Sequence, residues 1–221
     1  MAGARQSRAD ANWGDDHEQH ALGRPARSPA VLIALFGTLA VVLLLVVVVK
    51  MNTPPNDPTQ APAVGKRPEK LEFTPLEGDG EPLTLPDLQG QVVLINFWGP
   101  WCPPCRAEFP ELMELRETLA KERQFRFVSV TAMPGEDEED LVKLTKTYLQ
   151  SQKYDLPVYR DSQQTTRDEL KELNQASDFP FPTTILLDEK GVIRAVWVGY
   201  SQGVGEQMQE LIETLLKESV R

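Results

Sequence analysis

Cys102-Pro103-Pro104-Cys105 is the segment of this 221-residue chain whose residue types and spacing could carry out a reaction. The chain has two cysteines in all, so any internal disulfide joins 102 to 105, and a scaffold stapled by several bridges is excluded. Just before them, Val92-Val93-Leu94-Ile95-Asn96-Phe97-Trp98 is short, apolar and β-branched, the pattern of a strand buried on both faces, and Gly99-Pro100 ends it. A helical pattern follows, with Phe109, Leu112, Leu115 and Leu119 near one face. The pair therefore sits where a strand turns into a helix. The free N–H groups and partial positive charge of a helix start stabilise a thiolate there. Cys102, at the mouth, is expected to be the exposed nucleophile. Cys105, one turn further in, is expected to close the disulfide and release a bound partner. Proline is tolerated in a first helical turn because its missing N–H has no partner there.

A CxxC is also half a zinc site. The folded part of the chain holds no second CxxC and no histidine; His17 and His20 both lie in the N-terminal arm and lack further ligands. No metal site is expected. Reduced Cys102 and Cys105 could instead bind Cu(I), which favours soft sulfur ligands, and a copper-handling module is the alternative reading. The formal net charge is −10, and from Lys66 to Arg221 there are 18 basic against 28 acidic residues. So acidic a domain repels phosphate backbones, and nucleic acid is not an expected partner.

The chain divides unevenly. Residues 1–30 form a polar tail. Residues 31–49 are uncharged and apolar apart from Thr38, about 28 Å as a helix, which suits a single-pass transmembrane anchor. A cleaved signal peptide fits less well, because the apolar run is longer than usual and the polar arm before it is thirty residues long. Residues 50–68 are proline-rich and read as an extended linker. Residues 69–221 are left for one folded domain. Basic residues flank the apolar run on both sides, so their balance does not decide orientation.

Within the domain, Leu71–Phe73 and Leu83–Leu85 flank the turn chemistry of Glu77-Gly78-Asp79-Gly80 and suggest a hairpin. Phe125–Thr131 reads as a strand, Leu141, Leu144, Thr145 and Tyr148 space as a helix, and Leu156–Tyr159 is a short strand. A helix is expected over Gln164–Leu173. Thr184–Leu187 and Val192–Val198 form a second hairpin, and Val204, Met208, Leu211, Ile212 and Leu215 give a last amphipathic helix. The order describes an α/β domain with a mixed sheet sandwiched by helices.

The run from Asn96 through Trp101-Cys102-Pro103-Pro104-Cys105-Arg106-Ala107-Glu108-Phe109-Pro110 resembles the active-site segment of the thioredoxin superfamily, and more narrowly its membrane-anchored ResA/TlpA type. The likeness spans about residues 70–218. It implies a thioredoxin-like fold and a thiol-disulfide oxidoreductase with Cys102 and Cys105 as the redox-active pair. Pro110 matches the family's helix-kinking proline. Phe181-Pro182-Thr183-Thr184 matches the loop whose cis-proline lies against the active cysteines, so Trp101, Phe181 and Pro182 are implied to bind substrate. Where thioredoxin has a buried acid on the strand, this chain has Asn96, which cannot take a proton. Glu108 aligns with an active-site glutamate of the ResA-type reductases and is the implied proton acceptor. By resemblance the domain sits outside a bacterial cytoplasmic membrane. There it would reduce protein disulfides, for example in cytochrome c precursors, with electrons from a membrane thiol carrier and no cofactor. A peroxidase of related fold would need a differently framed cysteine that is absent.

Overall fold

The computed structural model describes residues 36–45, 57–77, 81–132 and 138–219, and the chain forms two compact units, 1–54 and 55–221. In the first unit residues 36–45 form helix α1, whose apolar side chains Phe36, Leu39 and Leu44 are exposed. The rest of the expected anchor, and the tail before it, lie outside the described residues. Among the described residues no helix is long and apolar enough to cross a membrane.

The second unit is built on strand β3 (Val92–Trp98), buried along its whole length. It pairs in parallel with β4 (Phe125–Thr131) and antiparallel with β6 (Thr183–Leu187), so the sheet is mixed. With β1 (Glu72–Pro75), β2 (Leu83–Thr84), β5 (Val158–Arg160) and β7 (Ile193–Val198), the seven strands run in the order β2-β1-β5-β4-β3-β6-β7. Alternation along β3 sorts its side chains to two faces. Val93, Ile95 and Phe97 meet Val128, Val130, Phe73 and Leu170, the last from helix α4 (Thr165–Leu173). Val92 and Leu94 meet Leu112 and Leu115 of helix α2 (Pro103–Thr118), and Met208 and Ile212 of helix α5 (Val204–Ser219). Tyr148 and Leu149 of helix α3 (Glu138–Gln152) pack toward the end of β3, around Trp98 and Phe109. Both faces are thus covered, which is why β3 reads as a continuous apolar run.

Three expectations shift. The linker was expected to stay extended through residue 68, but from Asp57 onward it belongs to the domain. Asp57 caps a 3-10 turn at Pro58–Gln60, Ala63 is buried in the core, and Lys66 Nζ donates to the Leu173 carbonyl at 2.7 Å. The Gly65 amide donates to the Ile193 carbonyl at 2.8 Å, and the Ile193 amide to the Lys66 carbonyl at 2.9 Å. Proline prevents a helix here but not docking, and the open edge of β7 supplies the partners. The short strand begins at Val158 rather than Leu156, because Leu156 turns into the aromatic cluster beside α3. Leu144 is exposed, since Leu141 and Thr145 carry the buried row of α3.

Candidate active site

Strand β3 delivers the chain to the site through a tight turn. A Cβ on Gly99 would strike the Trp101 indole and stand 2.9 Å from the Ala132 carbonyl oxygen, so only glycine leaves room. That space lets Trp101 Nε1 donate to the Ala132 carbonyl at 2.8 Å, while the Cys102 amide donates to the Gly99 carbonyl at 3.1 Å. Cys102 is the N-cap of α2, with extended backbone and proline in the first turn. The Cys105 amide points at Cys102 Sγ from 3.3 Å. Cys102 and Cys105 are joined as a disulfide. Once that bond is reduced, the same amide and the helix start favour a thiolate at Cys102.

Cys102 is less open than its position at the helix mouth suggested: it is 3% exposed, against 1% for Cys105. The cover is aromatic. Phe181 packs against the cluster of Trp98, Cys102, Cys105 and Phe109 and meets the Trp101 ring edge-on at 5.6 Å, and Trp101 remains 39% exposed. Behind them Trp98 packs on Phe109 at 4.3 Å, Tyr148 touches both rings at 5.4 and 5.8 Å, and Tyr154 meets Phe109 at 5.5 Å. Burial pushes the Tyr148 phenol up to about 12. Pro110 lies inside α2, where it removes one helical hydrogen bond directly after this aromatic contact.

The Phe181–Pro182 peptide is cis. The Gly199 amide donates to the Pro182 carbonyl at 2.8 Å and Thr183 Oγ1 to the Pro180 carbonyl at 2.7 Å, so the loop is tied at both ends. Arg167 lies 5.9 Å from the Phe181 ring centre and is itself held by Asp161 at 3.2 Å. Trp101 from the β3–α2 turn and Phe181 from the loop before β6 therefore meet beside the cluster that holds the cysteine pair.

Below the pair lies the acid. Glu108 is 1% exposed, not an ordinary helix-surface carboxylate. Its Oε2 accepts from Asn96 Nδ2 at 2.9 Å, and the same nitrogen donates to Thr184 Oγ1 at 2.9 Å. Glu108 Oε1 and Asn96 Oδ1 are buried without a protein partner. Burial raises the Glu108 carboxyl to about 8; the Asn96 hydrogen bond lowers it and the Glu111 charge raises it further. Cys105 is three residues before Glu108, a neighbouring position on the helix surface. A carboxyl raised toward neutrality by burial is suited to exchange a proton near neutral pH.

Thr184 was not singled out from sequence, although it belongs to the quoted loop. Its role needs the β3–β6 register, which sets Asn96 directly opposite Thr184. Ser129 was likewise missed; it accepts from Trp98 Nε1 at 2.7 Å and fixes the ring behind the cysteines. Among the described residues no group of three or more His, Cys, Asp or Glu side chains is placed to hold a metal ion.

Residues 64–196 match the model of the AhpC/TSA family. The chain is 32% identical over 154 residues to the thiol-disulfide oxidoreductase ResA of Bacillus thuringiensis, covering 70% of this chain and 77% of the relative. It is 27% identical over 135 residues to the sporulation thiol-disulfide oxidoreductase A of Bacillus subtilis, covering 61% and 74%. A solved thiol:disulfide interchange protein of the thioredoxin family from Chlorobium tepidum superposes with a TM-score of 0.52 at 25% identity, over 66% of this chain and 92% of its own. These relatives do not favour the copper-binding alternative.

Proposed function

Since the chain belongs to the AhpC/TSA family and is a thiol-disulfide oxidoreductase of the ResA type, we propose that it reduces disulfides in protein substrates with Cys102 as nucleophile, Cys105 as resolving thiol and Glu108 as proton acceptor. The observation that carries this reading is the layering of the site. Trp101 and Phe181 pair edge-on beside the cluster that holds the cysteines, and a buried acid seated by Asn96 follows Cys105 by three residues on the same helix.

The reaction begins with the reduced pair. The Cys102 thiolate attacks one sulfur of a substrate disulfide, forming a mixed disulfide and releasing the other substrate sulfur as a thiolate. Cys105 gives its proton to the Glu108 carboxylate and attacks Cys102 Sγ. The Cys102–Cys105 disulfide forms, and the second substrate sulfur leaves and takes up a proton. Two electrons pass from the pair to the substrate. Trp101, Phe181 and Pro182 form the surface on which a polypeptide flanking the substrate disulfide lies.

Residues 31–49 serve in this reading as a single-pass anchor that holds the domain outside a bacterial cytoplasmic membrane. A membrane thiol carrier then restores the dithiol, and cytochrome c precursors are a fitting substrate. The nineteen-residue apolar run and the ResA relatives support this placement. Equilibration of the purified protein with glutathione tests the direction of electron flow. A potential at or below about −270 mV supports a reductant, and one near about −120 mV makes the protein an oxidant instead.

A further inference from the structure

Glu111 stands one turn of α2 beyond Glu108 and is gripped by the segment that leads into α5. Tyr200 Oη donates to its Oε1 at 2.8 Å, the Gly203 amide reaches the same oxygen at 3.3 Å, and the Gly205 amide donates to Oε2 at 2.9 Å. Gly205 has no side chain for a reason: a Cβ there would lie 2.9 Å from Glu111 Cβ and 3.3 Å from its carbonyl oxygen. The carboxylate is therefore fixed in place at the wall of an open groove between α2 and α5, also lined by Glu114, Gln202 and Gln209.

We propose that Glu111 is a positioning residue for the thiol chemistry: its clamped negative charge, one helical turn from Glu108, raises the pH at which Glu108 exchanges its proton. The inference rests on Glu108 being the proton acceptor. Residues three apart on a helix are neighbours, and a like charge at that separation disfavours ionisation of its partner. Burial pushes the Glu111 carboxyl up, but the Gly205 amide, Tyr200 and the Gly203 amide outweigh it and hold the group below the usual range. Hydrogen bonding to Glu111 raises the Tyr200 phenol, so the clamp keeps its proton while Glu108 titrates. The groups hydrogen-bonded around Glu108 on the sheet side are neutral Asn96 and Thr184, Cys105 and exposed Arg106 precede it on its own helix, and Tyr200, from the segment before α5, also feels its charge. Burial is the first cause that raises the Glu108 carboxyl, and the Glu111 charge adds to it.

The rate of mixed-disulfide resolution against pH, together with a carbon-13 carboxyl titration of the full chain, tests the proposal. Glu111→Gln should move the midpoint of both curves to lower pH, and should shift nothing in a Glu108→Gln background. Tyr200→Phe removes one of the three donors but keeps the charge, so it should lower the melting temperature and move the midpoint less than Glu111→Gln does. A Glu111→Gln profile that superimposes on wild type, while Glu108→Gln differs, overturns the inference and leaves the Glu108 reading standing. An unchanged Glu108→Gln profile overturns that reading and this one with it. Should Glu111→Gln not fold, the wild-type titration decides: Glu111 must stay ionised throughout the range in which Glu108 titrates, and titration of Glu111 with or after Glu108 contradicts the proposal.

Discussion

Asn96 Nδ2 lies 2.9 Å from Glu108 Oε2, so the neutral residue on β3 and the acid on α2 form one buried pair. Asparagine at the strand position does not leave the site without a titrating group; it seats one that the helix brings. Because the carboxyl enters from α2, it lies one turn from Cys105 on the same element.

The burial of Glu108 makes stability depend on pH. Its folded pKa, about 8, is raised above the 4.5 of an unperturbed glutamate, so the folded state binds the proton more tightly. The contribution is complete below the unfolded value and is lost as pH rises toward the folded one, at up to about 1.4 kcal/mol per pH unit. Urea unfolding of the oxidised protein between pH 5 and pH 8 should show stability falling more steeply in wild type than in Glu108→Gln. Parallel slopes would mean that the carboxyl is not buried as described.

Glu108→Gln should also slow the second chemical step. Loss of a positioned base typically costs on the order of 10²-fold. Stopped-flow measurement should find formation of the mixed disulfide nearly unchanged and its resolution slowed by about that factor near pH 8. Equal slowing of both steps would place the acid at Cys102 instead.

Phe181→Ala removes the ring that meets Trp101 at 5.6 Å and packs on the cluster that holds the cysteine pair. An aromatic pair of this kind contributes about 0.5–1.5 kcal/mol beyond its area. KM for a protein disulfide should rise roughly three- to tenfold, while turnover of a small soluble disulfide should hold or increase. A uniform loss on both substrates would make the ring structural only.

Residues 57–68 should matter for folding. A chain beginning at Glu69 loses buried Ala63 and the two backbone bonds that join Gly65 and Lys66 to Ile193. At about 1 kcal/mol for each hydrogen bond, it should be at least about 2 kcal/mol less stable than one beginning at Pro55. Thermal melts of the two chains would show it, and equal midpoints would return the segment to being a spacer.

The sheet was legible in the sequence because its central strand is apolar on both faces and the later strands are punctuated by Gly-rich turns. The cysteine pair was legible because no other cysteine competes for it. What pattern could not supply was depth. Glu108 falls on a helix whose neighbours Arg106 and Ala107 are exposed, and only packing against Asn96 shows that it points inward. Thr184 needed a strand register, and the clamp on Glu111 needed the approach of α5, both of them long-range facts. The proline-rich segment misled because composition reports what a chain cannot form, not what it can dock against.

The roles of the two cysteines are tested most directly by trapping. Cys102→Ser and Cys105→Ser, each expressed in cells and quenched with acid, can be compared for covalent partners on non-reducing gels. Cys105→Ser should accumulate mixed disulfides through Cys102, because that sulfur receives the Cys105 amide at the helix start, and Cys102→Ser should accumulate none. Equal trapping through Cys105 alone would contradict the account.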